Sequence, residues 1–372
     1  MFCRKFLSVL SAFAVILCSS FSLYAATEST IDINAASSLD IKPALPIEIK
    51  AVVATMFENG AAYGDDEVGE LQLWVERSNI AKELDFPLGE YPLFLTKDNV
   101  LIICLGGGIP NATASIMALG LDTRFDLSQA YWLIAGIAGA DPLDMSLGSA
   151  AWATAVVDGD LVYEIDAREM PEHWPYGYIP LGAKEPAEGA QDVSDGWTLD
   201  TISFSLNEDL AKWAFAMTKD VEIPDSKGIQ DFRALFDGYP NAQKPPFVTM
   251  GETLSASTYW HGELLNRWAN DWVEVYAGEG KNFMTSNMED SGTLTALYRL
   301  ARLDLVDTDR VMILRTASNY SMPPKGESAA WSTTAPYADD GRPALEAAYL
   351  VGSKVINELV ANWDSYKNEL PH

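Results

Sequence analysis

Cysteine and histidine are scarce in this chain, and positive charge is in short supply. There are three cysteines in 372 residues. Cys3 and Cys18 fall in a segment that reads as a cleavable leader, which leaves Cys104 alone inside an apolar run. No intramolecular disulfide follows, so stability has to come from a packed core. The histidines are His173, His261 and His372, with no metal-ligand spacing among them. Gly64-Asp65-Asp66-Glu67 is acidic but lacks the calcium-loop pattern, so no metal is expected. A G-x-S-x-G elbow is missing, which argues against a Ser-His-Asp hydrolase. Lys and Arg number 25 against 53 Asp and Glu, a formal charge of −28. A surface that acidic repels phosphate backbones and anionic lipid, so neither nucleic acid nor a membrane surface is an expected partner.

What is present begins with an export signal. Arg4 and Lys5 are followed by the apolar stretch Phe6 to Leu17, then by Ser22-Leu23-Tyr24-Ala25-Ala26, most simply cleaved after Ala25. Basic, apolar and small-residue regions in that order describe a secretory signal peptide over residues 1–25. The apolar run is short for a membrane span, which needs roughly 20 residues. The expected location is therefore periplasmic or secreted, with no membrane insertion after processing. Residues 26–46, polar and rich in Ala and Ser, read as a flexible leader, and 47–372 as one domain with insertions.

Hydrophobic residues make up 48% of the chain, enough for a large core. Ile49 to Met56 and Val100 to Leu105 are continuous β-branched or aliphatic runs, as expected of strands covered on both faces. Tyr131 to Ile137, Ala151 to Val157, Leu161 to Ile165, Thr201 to Leu206, Phe247 to Met250 and Val311 to Thr316 complete the expected strands. Ala112 to Leu119, Glu208 to Met217, His261 to Trp272, Ser291 to Leu303 and Pro343 to Trp363 carry helical spacing. Pro171 to Pro186 and Gly238 to Pro246 read as surface excursions. Strands alternating with helices predict an α/β fold with a mixed, mostly parallel sheet flanked by helices. The long apolar stretch from Ala130 to Val157 is interrupted by Asp141, Pro142 and Asp144. It reads as strand, loop and strand rather than a membrane span.

Chemistry is expected where loops gather at strand ends. Gly106-Gly107-Gly108-Ile109-Pro110-Asn111 lies between a strand and a helix, where backbone N–H groups favour an anion or allow close approach. It does not fit G-x-G-x-x-G, and no acidic residue closes a second strand, so no dinucleotide cofactor is expected. Gly136 to Gly139, Leu254 to Trp260, Met288-Glu289 and Ser318-Asn319 also sit after or beside strands. In open α/β sheets ligands bind outside the carboxyl ends of the strands, so these five segments are expected to line one pocket.

The series resembles the purine nucleoside phosphorylase superfamily, and within it the purine nucleoside permease family. Gly107-Gly108-Ile109-Pro110-Asn111-Ala112 resembles the superfamily's G-x-G-I-P-S loop, and Ala135-Gly136-Ile137-Ala138-Gly139 its G-x-A-G base-pocket segment. Gly251 through Trp260 resembles its F-S-A-D-x-F-Y loop, Asn287-Met288-Glu289 its M-E motif, and Arg315 through Asn319 its strand ending in Ser-Asp or Ser-Asn. Gly69 to Val75, read G-E-L-Q-L-W-V, favours the permease branch.

The resemblance implies a nucleoside phosphorylase-like fold and purine nucleosides as ligands. Gly107, Gly108, Asn111, Gly136, Ala138, Gly139, Tyr259, Trp260, Met288 and Ser318 would contact the nucleoside. Glu289 would hold ribose hydroxyls and favour the charge that builds on the sugar. Met288 would pack on the sugar, Tyr259 or Trp260 would stack on the base, and Asn319 would hydrogen-bond the purine around N7. Taken alone, Glu289 reads more simply as a helix-start carboxylate meeting the dipole, while Tyr259 and Trp260 read equally as core aromatics.

Two departures bear on the reaction. Asn319 cannot deliver a proton, which favours 6-oxopurines. Leu105 stands where the superfamily offers a hydroxyl, and Phe57-Glu58-Asn59-Gly60 lacks the expected arginine, so an anionic nucleophile is poorly served. The expected activity is hydrolysis or ribosyl transfer rather than phosphorolysis. The alternative is a non-catalytic nucleoside-binding protein that passes its ligand to a separate membrane transporter. The superfamily's members are often homo-oligomers.

Overall fold

The computed structural model describes residues 45–186 and 197–372. The signal expected at 1–25, and all but the last two residues of the leader expected at 26–46, lie outside these residues. In chain order the strands begin with β1 (Ile47–Glu48), β2 (Ala51–Thr55), β3 (Ile80–Leu84), β4 (Leu93–Thr96), β5 (Val100–Cys104) and β6 (Phe125–Asp126). They continue with β7 (Tyr131–Ala140), β8 (Ala150–Trp152), β9 (Ala155–Asp158), β10 (Val162–Glu164) and β11 (Tyr178–Pro180). The last are β12 (Ser203–Ser205), β13 (Val248–Met250), β14 (Glu252–Ser255), β15 (Phe283–Asn287) and β16 (Val311–Tyr320). The helices are α1 (Glu70–Glu76), α2 (Ile109–Gly120), α3 (Glu208–Thr218), α4 (Lys227–Arg233), α5 (Glu263–Ala277), α6 (Asp290–Ala301), α7 (Arg342–Ala361) and α8 (Trp363–Tyr366).

Twelve of these strands form one mixed sheet. Its main path runs β12-β9-β14-β15-β7-β2-β5-β4-β3, with β16 pairing both β7 and β8, and β13 pairing β8. The centre is parallel: β7 pairs β2 and β16, and β2 pairs β5, all in parallel. Antiparallel pairs lie at β15–β7, at β16–β8 and along the β3–β4–β5 edge. This is the mixed, helix-flanked architecture the alternation predicts.

Side-chain alternation explains why the central strands read as unbroken apolar runs. Val52 and Ala54 of β2, Leu101 and Ile103 of β5, and Trp132 and Ile134 of β7 face one layer, with Ile116 of α2 and Leu297 of α6. Ala51 and Val53, Ile102 and Cys104, and Tyr131 and Leu133 face the other, with Trp74 of α1, Leu210 of α3 and Val351 of α7. Strands side chains alternate faces, so burial on both sides demands an apolar residue at every position. Cys104 is buried, and burial pushes its thiol up to about 12.

Several expected boundaries are corrected. Ala151 to Val157 is not one strand: the chain breaks at Ala153-Thr154 and splits into β8 and β9, which lie in different parts of the sheet. β7 and β16 each run to ten residues, so Ala138, Gly139, Ser318 and Asn319 lie within strands rather than after them. The helix expected from His261 starts at Glu263, after Gly262 at φ 135°, a value L side chains rarely adopt. Part of the excursion expected at Pro171 to Pro186 is strand β11, paired with β10.

Candidate functional site

The register of β16 on β7 builds the floor of the site. Arg315 lies opposite Gly136 and Ala317 opposite Ala138, and a shift then places Asn319 opposite Gly139. Ser318 is the extra residue of that bulge, a device that re-aims side chains at sheet ends. Its hydroxyl lies 3.2 Å from the Ala138 carbonyl and 3.0 Å from Asn319 Oδ1. The Asn319 amide is thereby oriented with Nδ2 outward, donating to the Tyr259 hydroxyl at 2.9 Å.

A second set of contacts positions Glu289. Asn287, the last residue of β15, accepts the Glu289 and Asp290 N–H groups on its side-chain oxygen at 3.0 and 2.9 Å, which starts α6 at the end of that strand. Its Nδ2 donates to Thr253 Oγ1 of β14 at 2.8 Å. Glu289 Oε1 accepts the Gly108 N–H at 3.3 Å, and Oε2 accepts from Met288 N at 3.2 Å and Arg315 Nη2 at 3.3 Å. Gly108 has φ 89°, so a glycine lets this loop aim its N–H at the carboxylate. Arg315 also binds Asp290, with Nη2 to Oδ1 at 2.5 Å. Glu289 is buried, and burial raises its pKa against the pull of Arg315.

Glu70, the first residue of α1, is the functional candidate that sequence reasoning missed. Both of its oxygens accept backbone N–H groups, from Met56 just past β2 at 2.6 Å and from Ile137 within β7 at 2.6 Å. Burial raises its pKa to about 8, with Arg315 pulling the other way. Gly136 makes room for this cluster. A β-carbon there would stand 2.5 Å from Arg315 Nη1 and 2.9 Å from Glu70 Oε1. The available signal was a glutamate in a segment buried from Glu70 to Val75, where a charged residue needs a specific reason.

These elements enclose a cavity of about 190 Å³. Of the expected residues, Ala138, Gly139, Tyr259, Trp260, Met288, Glu289, Ser318 and Asn319 line it, together with Glu70, Asn287 and Tyr337. Gly107, Gly108, Asn111 and Gly136 are not among its lining residues. Gly108 acts through its N–H on Glu289, and Gly136 lies behind the wall, beneath Glu70 and Arg315. Asn111 is turned away, its Nδ2 donating to the Gly107 carbonyl at 2.9 Å within the glycine loop. Trp260 both lines the cavity and packs on Trp268 and Phe283, with ring centroids 5.6 and 5.7 Å away, so the core and pocket readings of it hold together. Tyr259 is 56% exposed, with its hydroxyl held by Asn319.

No Lys or Arg lines the cavity. Arg315 lies behind it, already paired with Glu289 and Asp290. Among the described residues no group of three His, Cys, Asp or Glu side chains could hold a metal ion, and no helix is long and apolar enough to cross a membrane.

Comparison with known proteins identifies the family. The model of the purine nucleoside permease family matches residues 48–371. A purine nucleoside permease of Candida albicans is 31% identical over 306 residues, covering 79% of this chain and 73% of that one. A probable purine nucleoside permease of Schizosaccharomyces pombe is 29% identical, covering 72% and 78%. Among solved structures, the 5′-methylthioadenosine/S-adenosylhomocysteine nucleosidase of Neisseria meningitidis is 13% identical, with a TM-score of 0.48 over 83% of this chain and 99% of that one. Futalosine hydrolase of Helicobacter pylori is 13% identical, with a TM-score of 0.47 over 84% and 98%. The chain belongs to the purine nucleoside permease family.

Proposed function

We propose that this member of the purine nucleoside permease family binds purine nucleosides in the cavity and cleaves their N-glycosidic bond with water. The observation that carries this reading is the make-up of the lining: two buried carboxyls, Glu70 and Glu289, and no cation. Such a lining offers phosphate no cation, and the Glu289 carboxylate favours the positive charge that builds on ribose as the purine leaves. Glu289 holds the ribose hydroxyls. Glu70, with a pKa near 8, takes a proton from the attacking water as its oxygen bonds to the sugar. The electrons of the broken bond leave with the purine, which Asn319 Nδ2 meets as a hydrogen-bond donor and which takes its proton from solvent. Residues 4–25 support a periplasmic or secreted site of action, where water is the dependable nucleophile.

A second reading is favoured by the relatives' name: capture of nucleosides without turnover, for delivery to a separate transporter. Incubating the purified protein with inosine or guanosine, with and without phosphate, separates the two. Free base formed equally in both conditions is the expected result. Intact nucleoside at high protein concentration leaves capture as the function. Base release strictly dependent on phosphate overturns hydrolysis.

A further inference from the structure

The wall at the Asn319 end of the cavity has a second side. Tyr259, Ser318, Asn319 and Tyr337 line both the main cavity and a smaller one of about 30 Å³ behind it. Phe232, Trp331 and His261 are among the other residues that line the smaller cavity. Neither ring nitrogen of His261 makes a hydrogen bond, and both are shielded from solvent. Buried polar groups without partners are uncommon in folded proteins and call for a reason. Burial pulls the imidazole down to about 4, against a contact with the Tyr320 backbone that falls short of full hydrogen-bond geometry, so it is neutral near pH 7. A neutral imidazole offers one donor and one acceptor.

Size decides what can enter. The annex, about 30 Å³ against about 190 Å³ for the main cavity, has room for a small substituent rather than for a ring. Orientation follows from the two ends of the main cavity. Met288 and Glu289 line the main cavity and not the annex. Ribose held at Glu289 therefore sends the base toward Asn319. The hydrogen bond from Asn319 Nδ2 to the Tyr259 hydroxyl crosses the wall. A purine that takes over that donor meets the residues the two cavities share, Tyr259, Ser318, Asn319 and Tyr337.

We infer that this annex is a subsite for the exocyclic group on the six-membered ring of the purine, and that His261 is the specificity-determining residue that hydrogen-bonds it. This rests on the nucleoside-binding reading above. A 6-amino or 6-oxo group gives the imidazole the partner it lacks. Unsubstituted purine riboside leaves it unpartnered.

Calorimetric binding of inosine, adenosine and purine riboside to the full chain tests this. The wild type is expected to bind inosine or adenosine about tenfold more tightly than purine riboside, the worth of one net hydrogen bond. His261→Phe is expected to bring that ratio to within about twofold, while affinity for purine riboside is kept. Equal binding of all three by the wild type overturns the subsite, and needs no variant to fold. An undiminished ratio in His261→Phe overturns the role of His261. If the wild type binds none of the three, the nucleoside reading itself fails, an outcome distinct from equal binding.

Discussion

Arg315 Nη2 lies 3.3 Å from Glu289 Oε2 and 2.5 Å from Asp290 Oδ1, so one buried guanidinium on β16 is shared by two carboxyls at the start of α6. Removing one partner of a buried charge pair leaves the other uncompensated. Arg315→Met is expected to lower the free energy of unfolding by about 3–5 kcal/mol, measured by urea denaturation. A loss under about 1 kcal/mol, the range of exposed pairs, would show the three charges do not act together.

Glu289 meets its partners through charge-assisted hydrogen bonds and faces the cavity. Glu289→Ala is expected to reduce kcat/KM for inosine by about 100-fold or more, in line with removal of one group that stabilises developing charge. Steady-state kinetics check it. A variant with full turnover would take Glu289 out of the site.

Glu70 gives the pH dependence its sign. Its folded pKa, about 8, is raised above the ordinary value of 4.5. Between these values the unfolded chain has released the proton while the folded chain holds it. The contribution is therefore fully present below about pH 4.5 and is lost as pH rises through about 8. Relative to Glu70→Gln, which does not titrate, wild-type stability is expected to fall by about 1.4 kcal/mol per pH unit across that window. Denaturation midpoints at several pH values give the slope, and parallel curves for the two proteins would contradict it. Turnover should move the other way, rising toward a plateau above about pH 8 as the carboxylate forms.

At Gly136 the space is already filled. A β-carbon 2.5 Å from Arg315 Nη1 and 2.9 Å from Glu70 Oε1 must displace one of them. Gly136→Ala is expected to cost about 1–3 kcal/mol of stability, as overpacking does, and to weaken nucleoside binding by shifting Glu70. Thermal unfolding and calorimetry test both, and a variant unchanged in both would mean that the cluster yields freely.

Cys104 should be inert. Its thiol is buried and pushed up to about 12, and the thiolate is the reactive form. Iodoacetamide at pH 8 is expected to spare Cys104 in the native protein and label it after denaturation, read by mass spectrometry of its peptide. Equal labelling in both states would place the thiol at the surface.

Much of the sheet is legible in the sequence because its central strands are covered on both faces, and every position then has to be apolar. β14 and β15 escape that signal. They read Glu-Thr-Leu-Ser and Phe-Met-Thr-Ser-Asn, yet they are largely buried. Side-chain hydrogen bonds substitute for apolar contact there. Thr253 Oγ1 donates to the Thr285 carbonyl at 3.1 Å, and Glu252 Oε1 accepts from Thr154 Oγ1 at 2.5 Å. Such partners are distant in sequence, so no local pattern announces the strand. β3, with its exposed Ala81, Lys82 and Glu83, lacks apolar alternation for the opposite reason: it is the edge of the sheet.

The sequence by itself determined the fold class, the family and the set of strand-end segments that could gather around a ligand. Those depend on local composition and order, which the chain carries openly. Only the tertiary structure decided which of those residues face the cavity, and it separated Ala138 and Gly139 from Gly136, one strand turn away. It also brought Glu70 from the start of α1 onto the backbone of β2 and β7, and set His261 beside Asn319 without a full hydrogen bond. The reason is physical. A carboxyl's burial, a guanidinium's partners and a histidine's lack of them are properties of neighbours that meet across the sheet, and strand register, not sequence proximity, chooses those neighbours.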